Sequence, residues 1–390
     1  MKENNASYKL FQEFFLFDKN KEGVDIMKKI LFTSESVTEG HPDKICDKIS
    51  DYILDEALRQ DKTSKMAVEA TIKDDLILIY GEANTKAKLD YEMLAKEVLK
   101  DIGYREEYHV IVKVSSQSKE INRAVEKDKI MAGDQGIMFG YATNETEELM
   151  PLPIILSNKL AYRLSEVRKK DKDSPLLPDG KVQVTIEYQN NIPKRIDTII
   201  IASQHKKEVK EKELRNYIIE KVINKVISKE LLDTKTNILI NTSGSFTIGG
   251  SFGDSGTTGR KIVCDTYGGM GKVGGGCFSS KDPSKVDRSA AYYARYVAKN
   301  IVAHKYATKC EIELSYAIGR EYPISIYINT FNTNTIPEEE IYNYVNKNFN
   351  FSVDNIIKEL NLQRPIYYPL AAYGHFGRTD IECSWEKVNK

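Results

Sequence analysis

The stretch GGSFGDSGTTGRKIVCDTYGGMGKVGGGCFSSKDPSKVDR spans residues 249–288, and 11 of the 23 glycines in the chain lie between Gly249 and Gly276. Charged residues stand among these glycines and directly after them. Scattered glycines usually mark turns, because glycine tolerates backbone conformations that other residues avoid. A dense group beside charge instead favours a loop whose backbone N–H groups approach a phosphate.

Two common phosphate-binding motifs do not fit this stretch. The P-loop needs a lysine followed by a hydroxyl residue, whereas GDSGTTGRK has Arg260 and Lys261 at those positions. The dinucleotide pattern G-x-G-x-x-G is met by Gly269, Gly271 and Gly274, but no helix is predicted to open there. The glycines therefore indicate a phosphate site of another kind.

Two predicted helix starts share a mixture of cations and carboxylates. One helix is predicted over residues 284–303, with Asp282 as its cap and Pro283 opening it. The other begins at HPDK and continues through an amphipathic segment to residue 58. Free N–H groups at a helix start favour anions. We therefore expect a polyphosphate neutralised by basic side chains, with Mg²⁺ held by aspartates. The charged residues concerned are His41, Asp43, Lys44, Lys281, Lys285 and Asp287.

Strand and helix patterns alternate along the chain. KVQVTIEY, residues 181–188, alternates apolar and polar residues strictly, which predicts a strand with one buried face. Half-exposed strands mixed with helices favour an α+β architecture of sheets backed by helices on one face. Further strands are predicted near residues 76–83, 110–116, 198–204, 237–243, 310–319 and 323–331, and further helices near 90–102, 153–170, 208–229, 337–348 and 352–360.

Composition excludes several classes of protein. The 57 basic and 57 acidic residues give a formal net charge of zero, which argues against nucleic acid as the main partner. Five cysteines without C-x-x-C spacing argue against a disulfide framework or a zinc site, and favour a reducing cytoplasm. No apolar run is long enough to span a bilayer, so we expect no membrane partner.

The N-terminal residues carry no domain pattern. The apolar run LFQEFFLF is interrupted by polar residues and lacks the cleavage site of a signal peptide. The codons of KEGV can include a bacterial ribosome-binding sequence at a suitable distance before Met27. We therefore expect residues 1–29 to form a disordered leader, and hypothesise that Met27 is the native start.

Six longer motifs together resemble the methionine adenosyltransferase family, also called S-adenosylmethionine synthetase. They cover about residues 30–387 and read LFTSESVTEGHPDKICDKISD, AGDQGIMFGYATNETEELMPLP, PDGKVQVTIEY, GDSGTTGRKIVCDTYGG, GGGCFSSKDPSKVDRSAAYYARYVAKN and AAYGHFGR. The resemblance implies that ATP, L-methionine and water give S-adenosylmethionine, diphosphate and phosphate, with two Mg²⁺ and one K⁺ at each site.

The resemblance also implies an architecture. It predicts three similar α+β domains in a pseudo-threefold arrangement with interleaved chain segments, over about residues 30–130, 131–247 and 248–390. Subunits of the family pair through their sheets as dimers, or as dimers of dimers, and share their active sites between subunits. The charge-rich segment 117–130 falls where the family has a mobile lid.

Individual residues acquire roles from the same resemblance. His41 is expected near the oxygen that leaves C5′ of ATP. The triphosphate clamp is expected to consist of Lys181, Arg260, Lys261, Lys281 and Lys285. The metal ligands implied are Asp43 and Asp287 for Mg²⁺, and Glu69 for K⁺. Further ATP contacts are implied for Asp179, Ser245, Phe246, Asp254, Cys277 and Ile318. Methionine contacts are implied for Glu82, Gln117, Asp134, Asp254 and Lys285.

Four positions depart from the family pattern. Ser245 stands where the family has arginine, Val273 where it has histidine, Cys277 where it has alanine and Ser280 where it has glycine. Ser245 replaces an arginine that contacts the nucleotide in the family. The sequence therefore does not decide whether residue 245 contacts ATP.

The expected chemistry explains why the site is rich in charge. A neutral thioether sulfur needs alignment with C5′ but no general base, because it has no proton to lose. Stabilising the departing triphosphate is then the main task, and preorganised charges perform it. Two alternatives stay open from the sequence, namely a decayed nucleotide-binding relative and an enzyme that accepts another thioether. The presence of every clamp lysine and both aspartates speaks against decay.

Overall fold

The chain was studied as a computed structural model that describes residues 29–116 and 129–389. The strands are β1 (Lys29–Val37), β2 (Lys65–Lys73), β3 (Leu76–Asn84), β4 (His109–Ser115), β5 (Gly136–Thr143), β6 (Leu176–Gln189), β7 (Ile192–His205), β8 (Asn237–Ile240), β9 (Gly256–Thr257), β10 (Lys309–Tyr316) and β11 (Ser325–Asn329). The α-helices are α1 (Pro42–Gln60), α2 (Tyr91–Ile102), α3 (Leu152–Lys170), α4 (Glu211–Ile218), α5 (Ile262–Asp265), α6 (Val286–Ala303), α7 (Glu338–Asn348) and α8 (Val353–Glu359), and a π-helical turn and a short α-turn extend α4 to Val226. Nearly all of the predicted leader lies outside the described residues.

Each sheet is assembled from strands that are distant in sequence. The strand orders are β1-β6-β7-β8, β4-β3-β2-β9 and β11-β10-β5. In the first sheet, Val37 of β1 pairs with Lys181 of β6. In the second, Gly256 of β9 pairs with Ile72 of β2. The start of the glycine-rich stretch therefore lies beside a strand almost two hundred residues earlier in the chain.

Helices cover one face of each sheet. Helix α3 packs against β1 and β6, α1 against β2, and α6 against β5 and β10. Along β6, Val182, Val184 and Ile186 are fully buried and the intervening residues are not, as the strict alternation predicts. These layers confirm the predicted α+β class with three sheet-plus-helix domains. The pseudo-threefold arrangement and the domain boundaries stay predictions.

Two of the predicted helices have different limits or geometry. Helix α6 begins at Val286, and its N-cap is Lys285, which makes no side-chain capping hydrogen bond. The prediction that Asp282 caps this helix is wrong, because its carboxylate accepts N–H bonds from Met66 and Ser284 instead. The helix predicted over residues 208–229 is interrupted by the π-helical turn Ile219–Ile223.

Strand β2 was not predicted, although Met66, Val68, Ala70 and Ile72 alternate with more polar residues and are buried. Within the two described ranges, no helix combines the length and apolar character needed to cross a membrane.

Candidate active site

The start of α1 presents a neutral histidine. His41 is the N-cap, and its Nδ1 accepts a hydrogen bond from the backbone N–H of Asp43 at 3.2 Å. Burial, followed by the nearby Lys261, lowers the pKa of His41 to about 4. Because Nδ1 is an acceptor, the neutral ring carries its proton on Nε2. His41 therefore caps the helix with one nitrogen and has a donor on the other.

Asp43 forms ion pairs with the basic residues that follow the first glycines of the loop. Its side chain is 1 % exposed and accepts the backbone N–H of Thr257 at 3.0 Å. Lys261 forms an ion pair with one of its oxygens, and Arg260 Nε lies 3.4 Å from the other. Strand β9 can approach the start of α1 closely because residue 256 is glycine. A Cβ atom at this position would lie 2.1 Å from the Pro42 carbonyl oxygen.

Lys181 joins this group from another sheet. It stands on β6 opposite the last residue of β1, four positions before His41, and Nζ lies 2.8 Å from Glu35. Burial opposes ionisation of Glu35, but hydrogen bonds from Lys181 and Gln183 bring its pKa below the usual value. Lys181 is also close enough to contribute to the lowered pKa of His41. The first cluster is thus His41, Asp43, Lys181, Arg260 and Lys261.

A second cluster surrounds the start of α6. Lys281 Nζ lies 2.5 Å from Asp287, and Lys285 forms an ion pair with Asp282. The loop before them passes directly over Asp287, since a Cβ at Gly276 would lie 2.1 Å from its Cγ. A small cavity of about 20 Å³, which is room for roughly one water molecule, lies here and is lined by residues that include Val273, Gly274, Gly276, Phe278 and Asp287.

Glu69 lies beside the second cluster. Residue 67, two positions earlier on β2, forms a β-bridge with Lys281, and Tyr80 donates a hydrogen bond to Glu69 at 3.3 Å. Burial raises the pKa of Cys277 to about 11, with Lys281 opposing the shift and Glu69 adding to it. Glu69, Cys277 and Lys281 are therefore neighbours. The high pKa agrees with a packing role for Cys277 and not with a nucleophile.

Asp179 supports the glycine loop from below. It is buried and accepts the N–H of Gly250 at 2.8 Å. Burial raises its pKa to about 6, backbone hydrogen bonds from Gly250 and Gly180 oppose this, and Asp254 adds to it. Asp254 is consequently near Asp179, although its own side chain is exposed.

The remaining implied contacts lie at the periphery of the single chain. Phe246 is fixed by His205, which exchanges two hydrogen bonds with its backbone. Gln117 and most of the implied lid lie outside the described residues. The side chains that are exposed are those of Glu82, Asp134, Ser245 and Ile318.

The aspartates of the two clusters suit a metal ion whose coordination shell is completed by the substrate. Among the residues that the structure describes, no group of three or more His, Cys, Asp or Glu side chains could hold a metal ion. Mg²⁺ is commonly bound by one or two carboxylates together with substrate phosphates and water. Asp43 and Asp287, each within a cluster of cations, fit that mode.

Sequence reasoning overlooked several buried charges beside the clusters. Lys44 is among the residues that the sequence predicts to bind the polyphosphate, but its ammonium is buried between Asp47 and Asp265. Arg288 likewise is fully buried against Asp51 at 2.5 Å. The available signal was the recurrence of aspartate at every fourth residue of α1, which places these side chains along one side of the helix.

Three family comparisons match successive parts of the chain. Residues 29–128 match the S-adenosylmethionine synthetase N-terminal domain, residues 129–246 its central domain, and residues 248–387 its C-terminal domain.

Whole-chain relatives carry the same name. The chain is 48% identical over 384 residues to the S-adenosylmethionine synthase of Finegoldia magna, covering 93% of this chain and 98% of that protein. It is 50% identical over 380 residues to the S-adenosylmethionine synthase of Clostridium tetani, covering 92% and 97%. Over 377 residues it is 47% identical to that of Sorangium cellulosum, covering 93% and 89%.

Proposed function

Because this chain belongs to the S-adenosylmethionine synthetase family and makes S-adenosylmethionine from ATP and methionine, we propose how its own residues carry out the two steps. In the first step the methionine sulfur attacks C5′ of ATP and the whole triphosphate departs. In the second, water cleaves the triphosphate to diphosphate and phosphate. The observation that carries this proposal is the convergence of His41, Lys181, Arg260 and Lys261 around Asp43.

His41 acts on the oxygen that leaves C5′. Its neutral ring has Nε2–H as donor, and a neutral donor next to Lys261 can stabilise developing charge without losing its own proton. Burial, together with positive charge from the neighbouring Lys261, lowers the pKa of His41 to about 4 and keeps the ring neutral over the physiological range. A purely structural role of His41 as a helix cap is compatible with this catalytic role, because the cap uses only Nδ1.

Several basic side chains of the clamp are ion-paired with aspartates. Lys261 and Arg260 face Asp43, and Lys281 faces Asp287. When a triphosphate binds, these basic side chains turn toward it, because its many anionic oxygens accept more charge-assisted hydrogen bonds than a single carboxylate can. Asp43 and Asp287 would then hold Mg²⁺, which would supply neutralisation of the phosphate charge. Lys181 and Lys285 complete the clamp.

The other implied contacts keep their predicted roles in this proposal. Glu69 would hold K⁺ beside the loop of Cys277, where the ion would supply positive charge that orders that loop. Asp179, Ser245, Phe246, Asp254, Cys277 and Ile318 surround the nucleotide. Glu82, Gln117, Asp134, Asp254 and Lys285 surround methionine. The proximity of the Glu69 carboxylate to Cys277 supports the K⁺ assignment.

Complete sites are proposed to form between subunits. The exposed large apolar side chains include Leu31 on β1, Ile111 on β4, Ile137 on β5 and Leu239 on β8, so all three sheets present apolar surface. Surface of this kind favours association. We infer a dimer that pairs through its sheets, in which the first cluster of one subunit faces the second cluster of its partner, and dimers that can pair again. The free thiols of all five cysteines support a reducing cytoplasm.

One incubation tests the reaction against its alternatives. The protein is mixed with ATP, methionine, Mg²⁺ and K⁺, and S-adenosylmethionine and phosphate are measured separately. Formation of both supports the proposed sequence of steps. Phosphate without S-adenosylmethionine indicates an enzyme for another thioether, and the absence of both products contradicts the proposal.

A further inference from the structure

Four aspartates recur at every fourth residue of α1. Asp43, Asp47, Asp51 and Asp55 are each at most 1 % exposed. Residues four apart lie on the same side of a helix, one turn above another. Carboxylates are rarely buried unless hydrogen bonds and opposite charge compensate the loss of water. The hydrogen-bond and ion-pair partners of each aspartate therefore indicate why it is buried.

The first two aspartates hold the loop that carries two clamp residues. Asp43 accepts the backbone N–H of Thr257 at 3.0 Å, and Asp47 accepts that of Gly259 at 2.8 Å. Successive turns of α1 thus bind alternate residues of one extended segment. That segment leads directly into Arg260 and Lys261.

The third aspartate holds the other clamp loop. Asp51 accepts the backbone N–H of Ser280 at 3.2 Å and the hydroxyl of Ser279 at 2.9 Å. Lys281 follows immediately. The fourth, Asp55, accepts the N–H groups of Tyr367 and Tyr368, at 3.0 and 2.8 Å, and those residues belong to neither loop.

The charges of the two middle aspartates are compensated internally. Lys44 Nζ lies 2.9 Å from Asp47, and Arg288 lies 2.5 Å from Asp51. Lys44 also pairs with Asp265, the last residue of α5, so it joins α1 to the far end of the same loop. Because these partners are buried, Asp47 and Asp51 stay ion-paired whether or not a ligand occupies the clamp.

Asp43 differs from Asp47 and Asp51, because its cationic partner is a clamp residue. Under the proposed function Asp43 would exchange the Lys261 ammonium for Mg²⁺ when the triphosphate binds. The bond from Gly259 to Asp47 involves no clamp side chain and can persist through that exchange.

We propose that Asp47 and Asp51 are positioning residues of the reaction, which fix the segments carrying Arg260–Lys261 and Lys281 respectively. The inference rests on the clamp assigned under the proposed function. Neither aspartate touches the substrate. Their effect on catalysis is to keep the clamp cations aimed at bound triphosphate, Arg260 and Lys261 on one side of a shared site and Lys281 of the partner subunit on the opposite side. Displacement by about 1 Å can cost roughly a hundredfold in rate.

The test compares four variants in tripolyphosphate hydrolysis. They are Asp47→Ala, Asp47→Asn, Asp51→Ala and Asp55→Ala, and thermal unfolding is recorded for each. Asp55→Ala is the matched control, because it removes an equally buried carboxylate and its N–H bonds from the same helix face. We expect the alanine variants at 47 and 51 to raise KM for tripolyphosphate by roughly ten- to hundredfold. Asp55→Ala should leave that KM within about threefold even where its loss of thermal stability is equal.

Asp47→Asn provides a graded rescue. Asparagine keeps an oxygen for Gly259 N–H but loses the ion pair with Lys44, so its KM should fall between wild type and Asp47→Ala. If the alanine variants do not fold, Asp47→Asn is compared instead with two further variants, Asp51→Asn and Asp55→Asn. Equal changes at positions 47 and 55 would overturn the positioning role. A wild-type enzyme that does not hydrolyse tripolyphosphate would overturn the proposed clamp itself.

Discussion

Replacing His41 by asparagine should separate the two chemical steps. The structure gives His41 two tasks, a helix cap through Nδ1 and a proposed donor through Nε2. Asparagine is a good N-cap residue, so the cap bond to the N–H of Asp43 can be re-formed. The shorter side chain cannot reach the position of Nε2. The variant therefore removes the donor and keeps the helix start.

The magnitude follows from what is lost. Removing one donor that stabilises a developing oxyanion typically slows a reaction by roughly a hundred- to thousandfold. We expect that loss in S-adenosylmethionine formation, where the C5′–O bond breaks. Hydrolysis of added tripolyphosphate breaks a P–O bond farther along, so its rate should fall by less than about tenfold. His41→Ala serves as the companion variant, and should lose about 1 kcal/mol of stability in addition because the cap is gone.

The assay measures both steps on the same preparation. S-adenosylmethionine is followed under single-turnover conditions, and phosphate release from tripolyphosphate is followed without methionine. Equal losses in both reactions, with the unfolding midpoint of His41→Asn unchanged, would refute the reasoning. His41 would then be a general anion ligand and not a group specific to the first step.

Four further outcomes are expected. Glu69→Gln should lower activity and flatten its response to K⁺ without abolishing turnover; an unchanged K⁺ titration would remove the assignment. Mixing inactive Lys261→Met and Asp287→Asn subunits should recover up to about a quarter of wild-type activity, because half the mixed dimers' sites contain neither change; an active monomer in sedimentation would contradict shared sites. Burial and the nearby Arg288 hold the pKa of His375 well below its usual value, so stability is present above about pH 6.5 and falls by up to about 1.4 kcal/mol per pH unit below it. His375→Gln should remove that part of the slope in unfolding measured at pH 7, 6 and 5, and parallel slopes would contradict it. Ser280 has φ 82° and a buried hydroxyl without a partner, so Ser280→Gly should raise unfolding stability by about 1 kcal/mol; a lower unfolding midpoint would count against this.

The sequence determined the local elements and the inventory of charged groups. Alternation with period two predicted β6, and helical spacing predicted α1 and most of α6, because these patterns depend on neighbours within a few residues. The motifs around HPDK and GDSGTTGRK supplied the candidate clamp residues. The short strand β9 and the start of α6 could not be set in this way, since each depends on what packs beside it.

Only the tertiary structure decided which charges face a ligand. Lys44 and Lys261 both follow from motifs that suggest phosphate binding, yet Lys44 is buried between Asp47 and Asp265, which lies 221 residues away in sequence. Lys261 instead lies at the partly open edge of the first cluster, against Asp43. A lysine binds an anion or anchors a loop according to the carboxylates that surround it. Those carboxylates are brought to it by strand pairing and helix packing across the whole chain, and no local pattern records them.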